Sequence, residues 1–271
     1  MPSSDPRRPT RGSLPAPSVQ DFRQLLDAAL NACDDQGRKW SEARWGCYAF
    51  YDYDGEPIYV GQTNEKLRVR VKRHLTNQRT DAVAMRILDV FEVAELELWP
   101  LWQFDGLTKN SDKVAFEDAK TVLNAVEYNA YLYAIESSRF KAILNEKIPP
   151  VSQALDLPPS ARFSLISSEN RRERGHADIR IARRAETISR LAAVAHERGE
   201  VSDGLRRVLV VQAVRLAYLA ATRMAEAAGR PEPDPTAIDV IGLIGDVSLE
   251  RTDPNADMDD LGDDAEEAAA D

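Results

Sequence analysis

A chain of 271 residues is long enough for one domain with a sizeable core and an accessory region, and its 43% hydrophobic and 30% charged residues are ordinary for a globular protein. The net charge is −10, but residues 253–271 contain nine acidic residues and no Lys or Arg, which leaves −1 for the rest. The overall charge therefore does not exclude a nucleic-acid partner. Two cysteines, Cys33 and Cys47, exclude a disulfide framework and a cysteine zinc site.

Both ends of the chain have compositions that predict disorder. Residues 1–17 are rich in Pro, Ser and Arg, and residues 230–271 combine prolines with the acidic run. The first segment lacks the apolar core of a secretory signal, and no uninterrupted apolar run is long enough to cross a bilayer. We therefore expect a cytoplasmic protein without a membrane partner.

Residues 18–150 are predicted to form an α/β (α+β) domain. An amphipathic helix follows Ser18, and residues 46–51 then alternate as a half-buried strand requires. Asp54-Gly55 is a hairpin signal, residues 57–61 form a second strand, and Thr63 can begin a basic helix. Residues 93–98 alternate as a third strand. The prediction is a small three-stranded antiparallel sheet flanked by helices, which include a long helix after Asp112.

The second half of the chain is predicted to be a helical accessory region. Residues 151–160 read as a linker, and residues 161–229 as a helical hairpin whose apolar seam is spaced for packing. Either this seam packs on the first domain, or it forms a symmetric homodimer through the C-terminal helices. A group of arginines in the hairpin either contacts phosphate or forms a solvated face: Arg171, Arg172, Arg174, Arg180, Arg183 and Arg184.

Two tripeptides on the predicted hairpin carry a family resemblance. Gly-Cys-Tyr at 46–48 and Tyr-Val-Gly at 59–61, followed by Arg70 and His74 one helical turn apart, resemble the GIY-YIG nucleases. The resemblance extends to about Asn145, with Cys47 and Val60 in place of the usual isoleucines. It implies a metal-dependent DNA endonuclease that leaves a 3′-hydroxyl and a 5′-phosphate.

Hydrolysis of a phosphodiester needs a cation at the phosphate, a base near the attacking water and an acid or metal at the leaving oxygen. Arg70 is the candidate cation, because its guanidinium can bind two phosphate oxygens. The resemblance implies that Tyr48 is the general base and that Tyr59 positions phosphate or water. Neighbouring positive charge would have to stabilise the Tyr48 phenolate. His74 could orient a tyrosine, contact phosphate or share the role of base. Without the motif, the two tyrosines would be interpreted as core residues and His74 as a surface residue.

Glu127 is the candidate metal ligand. It lies beside the buried stripe of the long helix, where an unpaired carboxylate is costly, and a hard divalent ion would explain it. The resemblance implies one glutamate in this part of the chain and therefore one Mg²⁺ (or Mn²⁺), with Glu117 and Glu136 as rivals. Asn145 is matched to a family asparagine with an orienting or phosphate-binding role, or it only closes a turn.

The basic helix supplies the predicted DNA contacts, which are Arg68, Lys72, Arg73 and Arg79; the alternative is a solvated face. Gln62 stands where many relatives carry a basic residue, so Lys66 is the candidate for lowering the tyrosine pKa. A different class of function stays open, namely a non-catalytic nucleic-acid-binding or regulatory protein on the same scaffold. Among nucleases, a restriction- or defence-related enzyme remains by elimination. The lack of a cysteine-rich zinc module disfavours the junction-resolving branch of the family, and the short second half disfavours the multidomain excision-repair branch.

Overall fold

The computed structural model describes residues 15–76, 89–199 and 201–248. Arg79, the first 14 residues and the whole acidic run at 253–271, all subjects of sequence predictions, lie outside these ranges. The helices and strands are α1 Pro17–Asn31, β1 Gly46–Tyr51, β2 Pro57–Thr63, α2 Leu67–Thr76, β3 Glu95–Pro100, α3 Lys113–Ser137, β4 Ala161–Ser164, α4 Ser168–Arg174, α5 Ala177–Arg198, α6 Asp203–Ala227 and α7 Val240–Ile244.

The α+β class is confirmed, but the sheet has four strands rather than three. Its order is β2-β1-β3-β4, and each neighbouring pair is antiparallel. The additional strand β4 lies in the segment that was predicted to be helical. It spans only four residues at the edge of the sheet. An alternating pattern this short is too weak to predict a strand when a long helical pattern, that of the arginine-rich run, follows it directly.

The central strand β1 is buried on both faces, so the prediction of a half-buried strand was wrong. Tyr48 and Phe50 belong to a core shared with α1, α2 and the C-terminal helices. Cys47 and Ala49 belong to a second core, on the opposite face, that is shared with α3. The sheet is therefore covered by helices on both sides, which alternation in a single strand does not reveal.

The turn between β1 and β2 forms as the Asp-Gly signal predicts. Gly55 adopts a left-handed φ of 78°, and the Asp52 carboxylate accepts hydrogen bonds from the backbone N–H groups of Asp54 and Glu56. A polar turn joins two strands that are both covered by helices.

The helical hairpin formed by α5 and α6 packs on the sheet. Leu191, Val208 and Val211 lie in the same core as Tyr48. Of the two predicted arrangements, packing on the first domain is therefore present in a single chain. α6 is also long and apolar enough, by length and composition alone, to cross a bilayer, although arginines interrupt its apolar run. Its buried Arg215 nevertheless pairs with the carboxylate of Glu56, 3.5 Å away in the β1–β2 turn.

Several arginines of α5 are buried against carboxylates rather than free for phosphate. Arg184 lies 2.6 Å from the Asp52 carboxylate, and Arg180 lies 3.4 Å from it. Arg183 donates to Glu92 over 2.8 Å. These arginines bind the hairpin to the sheet, so the hypothesis that they contact nucleic acid is wrong for these three residues. The sequence showed their charge but not their partners, which lie about ninety to 130 positions away.

Candidate active site

Pairing between β1 and β2 brings the two motif tyrosines together. Tyr48 is opposite Gly61, Phe50 is opposite Tyr59, and the Tyr48 and Tyr59 rings are 6.0 Å apart. A Cβ atom on Gly61 would lie 2.7 Å from Tyr59 Cε1 and 2.8 Å from the Tyr48 hydroxyl. Because these contacts are too short for a side chain, the glycine of the second triplet allows both phenols to converge.

The glycine of the first triplet has a different role. A Cβ atom on Gly46 would lie 2.6 Å from the Trp99 carbonyl oxygen and 3.0 Å from Leu67 Cδ1. Leu67 is the first residue of α2, which carries Arg70 and His74. Gly46 therefore allows the start of α2 to approach the sheet closely enough to present these two side chains to the tyrosines.

His74 is buried against the tyrosine pair. Its ring centroid lies 5.7 Å from that of Tyr48 and 5.4 Å from that of Tyr59. Burial, with the positive charges of Arg70 and Arg73, lowers its pKa from 6.5 to about 4. The imidazole is therefore neutral at pH 7. Both of its nitrogens are buried without a hydrogen-bond partner within the described ranges.

Arg70 lies close enough to Tyr48 for its charge to act on the phenol. Burial nevertheless raises the Tyr48 pKa well above 10, and the proximity of Tyr59 adds to burial while Arg70 opposes it. Burial likewise raises the Tyr59 pKa, despite Arg70. The charge of Arg70 does favour the phenolate, as expected, but desolvation outweighs it, so both tyrosines are protonated at neutral pH.

Glu127 approaches from α3, on the opposite face of the sheet from the Tyr48 side chain. It is partly buried, and in the portion of the chain that the structure describes it makes no hydrogen bond or ion pair. Burial raises its pKa to about 7, although Arg70 opposes the shift. Its charge in turn raises the pKa of Tyr48 and Tyr59, so the carboxylate is within electrostatic reach of both phenols.

The surroundings of Glu127 fit a divalent ion. A desolvated carboxylate without a protein partner is a hard oxygen ligand with no competing cation bonded to it, and Mg²⁺ commonly takes few protein ligands. The two rivals are less suited to this role. Glu117 is exposed, and the exposed Glu136 pairs with Lys141 at 3.2 Å.

The Asn145 side chain forms hydrogen bonds with the edge strand β2. Its Oδ1 accepts from the Val60 N–H over 2.9 Å, and its Nδ2 donates to the Val60 carbonyl over 2.7 Å. Because β2 is an edge strand, these two backbone groups have no strand partner on that side. Asn145 therefore holds the strand between Tyr59 and Gly61. Of the roles predicted for Asn145, these two bonds fit an orienting one, and a phosphate contact would require the amide to leave Val60.

The cations of the basic helix are largely neutralised by carboxylates. Lys66 and Arg68 both pair with Glu42, and Lys72 lies 2.8 Å from Asp27. Arg73 pairs with Glu65 at 2.9 Å. Phosphate contacts by Arg68, Lys72 or Arg73 would therefore need an exchange of ion pairs. Lys66 is engaged with Glu42, so it does not serve as the charge that lowers a tyrosine pKa.

Gln62 is a site residue that sequence reasoning did not assign. Its Nε2 donates to Asn124 Oδ1 on α3 over 2.9 Å. Its Oε1 is buried and has no partner among the residues that the structure describes. The only signal in the sequence was the departure from the basic residue that many relatives carry there.

The match to a family model agrees with this geometry. The model described as the GIY-YIG catalytic domain matches residues 44–104. This segment is the part of the chain that is similar to the GIY-YIG family. No curated protein and no solved structure matches the chain. The match includes Tyr48, Tyr59, Arg70 and His74, whereas Glu127 lies beyond its end.

The GIY-YIG domain implies a nuclease-type fold. Members of this family are generally endonucleases, typically depend on a divalent metal and act on DNA. Within this chain, the domain is completed by elements that lie outside the matched segment. α3 covers one face of its sheet, and α6 contributes to the core on the other face.

Proposed function

We propose that this protein is a metal-dependent DNA endonuclease that hydrolyses phosphodiester bonds with a single divalent ion. The observation that carries the proposal is a cluster of four buried polar atoms without partners in the described structure. They are the Tyr48 hydroxyl, Arg70 Nε and both ring nitrogens of His74. An orphaned buried polar atom costs about 1 to 3 kcal/mol, so the cluster is typical of a site whose partners arrive with a ligand.

Arg70 is proposed to bind the scissile phosphate. A guanidinium keeps its charge at any physiological pH and can donate to two oxygens at once. Arg70 has no ion pair in the described ranges, whereas Arg68, Lys72 and Arg73 all have carboxylate partners. Because charge on the phosphoryl oxygens persists through the transition state, Arg70 is the cation best able to stabilise it.

Tyr48 and His74 are proposed to handle the proton of the attacking water. Tyr48 keeps its own proton, so its oxygen accepts a hydrogen bond from water while its O–H is directed at a neutral acceptor. The neutral imidazole of His74, with its ring centroid 5.7 Å from that of Tyr48, can be that acceptor. The water oxygen bonds to phosphorus as its proton is relayed through Tyr48 to His74, the P–O3′ bond breaks, and the leaving O3′ takes a proton from solvent water.

Glu127 is proposed to hold the divalent ion, Mg²⁺ or Mn²⁺. Such an ion, when bound, supplies Lewis-acid stabilisation of the leaving oxygen. Glu127 contributes the carboxylate ligand, and Tyr59 helps to position phosphate beside Gly61. The products are a 5′-phosphate and a 3′-hydroxyl.

The test is cleavage of supercoiled plasmid by the full chain in Mg²⁺, compared with cleavage in EDTA. We expect nicked product from wild type, and a loss of at least about a hundredfold in Arg70→Ala and Glu127→Gln. Glu117→Gln, an exposed glutamate of the same helix, is the matched control and should cleave like wild type. Metal-independent DNA binding with no cut product would instead support a non-catalytic binder.

A restriction- or defence-related role further requires that both strands are cut, which linear plasmid would reveal. One site cuts one strand, so we propose a homodimer through the C-terminal helices. Ile179 on α5 and Met224 on α6 are exposed apolar side chains suited to such a contact. Light scattering of the full chain should give a dimer mass, and a monomer mass at working concentration would refute the dimer.

A further inference from the structure

We infer that Gln62 is a positioning residue for the ion on Glu127, and that its amide oxygen accepts a hydrogen bond from a water of the ion's hydration shell. This inference rests on the proposed one-metal function. It assigns a role to a residue that the family match leaves without one, since Gln62 is neither a charged nor a motif position.

Three observations locate Gln62 beside Glu127. In the β1–β2 register, Gln62 is directly opposite Cys47, and side chains in such pairs have Cβ atoms about 5 Å apart. The pKa of Cys47 is raised first by burial and then by the charge of Glu127, so the carboxylate lies near this pair. Asn124, which bonds to Gln62, is one helical turn before Glu127 on the same face of α3.

The orientation of the Gln62 amide is set by Asn124. Because Nε2 donates to Asn124 Oδ1, the other end of the amide, Oε1, is directed away from that bond and has no partner in the described ranges. Glu127 likewise has no hydrogen-bond or ion-pair partner in those ranges. Two oxygen acceptors therefore lie on adjoining elements, and the ionised carboxylate has no proton to donate to the amide oxygen.

A hydrated divalent ion supplies a cation for the Glu127 carboxylate and a hydrogen-bond donor for Gln62 Oε1. Mg²⁺ keeps several waters when it binds a single carboxylate, and those waters are hydrogen-bond donors. A neutral amide oxygen can accept from one of them without competing for the ion. Such contacts outside the direct ligands commonly change metal affinity by about 10- to 100-fold. A basic side chain at the same position would offer no acceptor.

The test is Mn²⁺ binding by the full chain without DNA, measured by titration calorimetry and by the electron paramagnetic resonance signal of free Mn²⁺. We expect Gln62→Met, which has a similar volume but no acceptor, to weaken binding about tenfold. Gln62→Glu keeps an oxygen acceptor, and the Asn124 amide can turn to donate to it, so this variant should bind at least as tightly as wild type. Gln103→Met, at an exposed glutamine, is the matched control.

The outcomes separate this inference from the proposed function. Wild-type affinity in Gln62→Met, together with loss of binding in Glu127→Gln, would overturn the role of Gln62 and leave the one-metal site standing. Equal weakening in Gln62→Met and Gln62→Glu would indicate a packing role and also overturn it. Wild type that binds no Mn²⁺ at millimolar concentration would overturn both. If circular dichroism shows that Gln62→Met does not fold, Asn124→Ala replaces it as the test variant. This change frees the Gln62 amide, so we expect Mn²⁺ binding to weaken severalfold. Unchanged affinity in Asn124→Ala would contradict the inference.

Discussion

The Asn145 amide forms two hydrogen bonds with the backbone of Val60, 85 positions earlier in the chain, and so acts as a one-residue partner for the edge of the sheet. Val60 lies between Tyr59 and Gly61, so this pair fixes the strand that carries half of the candidate active site. The relationship gives a structural reason for an asparagine here, whatever the substrate.

Asn145→Ala should destabilise the protein and lower activity together. The change leaves the Val60 N–H and carbonyl buried without partners, at a cost of about 2 to 4 kcal/mol in the free energy of unfolding. Urea unfolding measures the loss, and hydrogen exchange at the Val60 amide should accelerate. Asn64→Ala, at an exposed asparagine just after the same strand, is the control. Normal stability with lost cleavage would instead favour a direct phosphate contact.

Gly61→Ala should abolish most cleavage while the chain stays folded. The new methyl would lie within 2.8 Å of both phenols, so Tyr48 and Tyr59 must move apart. We expect a loss of about a hundredfold in cleavage rate, because positioning errors near 1 Å are that costly. Gly106→Ala is the matched control, since its Cβ would meet nothing within 4 Å. Equal rates in the two variants would contradict a need for the tyrosine pair.

Glu127→Gln should stabilise the metal-free protein at pH 8 but not at pH 5. The pKa of Glu127 is raised from 4.5 to about 7, so between these values the folded state binds a proton that the unfolded state has lost. The free energy of unfolding of wild type therefore falls as pH rises through this window. We expect a gain of about 1 to 2 kcal/mol for the variant at pH 8, reduced because the carboxylate is partly exposed.

Thermal melts of wild type and Glu127→Gln in EDTA at the two pH values measure this difference, with Glu117→Gln as the control. Added Mg²⁺ should raise the wild-type melting temperature more at pH 8 than at pH 5, since the ion needs the ionised carboxylate. A variant that is less stable than wild type at pH 8 in EDTA would show that Glu127 has a structural partner.

Asp52→Asn should loosen the helical hairpin from the sheet. The Asp52 carboxylate is buried and faces Arg184 and Arg180, whose positive charges hold its pKa below the usual value despite burial. Breaking such a buried pair typically costs about 3 to 5 kcal/mol, because it leaves uncompensated charge. Denaturant unfolding followed by circular dichroism measures the loss. Asp178→Asn, in an exposed pair with Arg223, should leave the midpoint nearly unchanged.

Much of the candidate site could be predicted because it depends on local pattern. The Asp54-Gly55 turn predicts that β1 and β2 pair and so brings the two motif tyrosines onto neighbouring strands, while a bulge between Phe50 and Tyr51 shifts the register so that Tyr48 is opposite Gly61. Helical spacing places Arg70 and His74 on the same side of α2. The overall α+β class, the long helix before residue 137 and the hairpin of α5 and α6 follow from periodicity in the same way.

The remaining features of the site depend on contacts between residues that are distant in the chain, which only tertiary packing creates. No spacing rule shows that Asp27 and Glu42 neutralise cations of α2, that Asn145 bonds to Val60, or that Arg184 is buried against Asp52. Burial on both faces of β1 was also invisible to alternation, and it is this burial that raises the tyrosine pKa. The sequence by itself determined which chemical groups are present and which local elements carry them. The tertiary structure alone decided which charges are paired and which are desolvated, because both depend on neighbours that only the folded chain brings close.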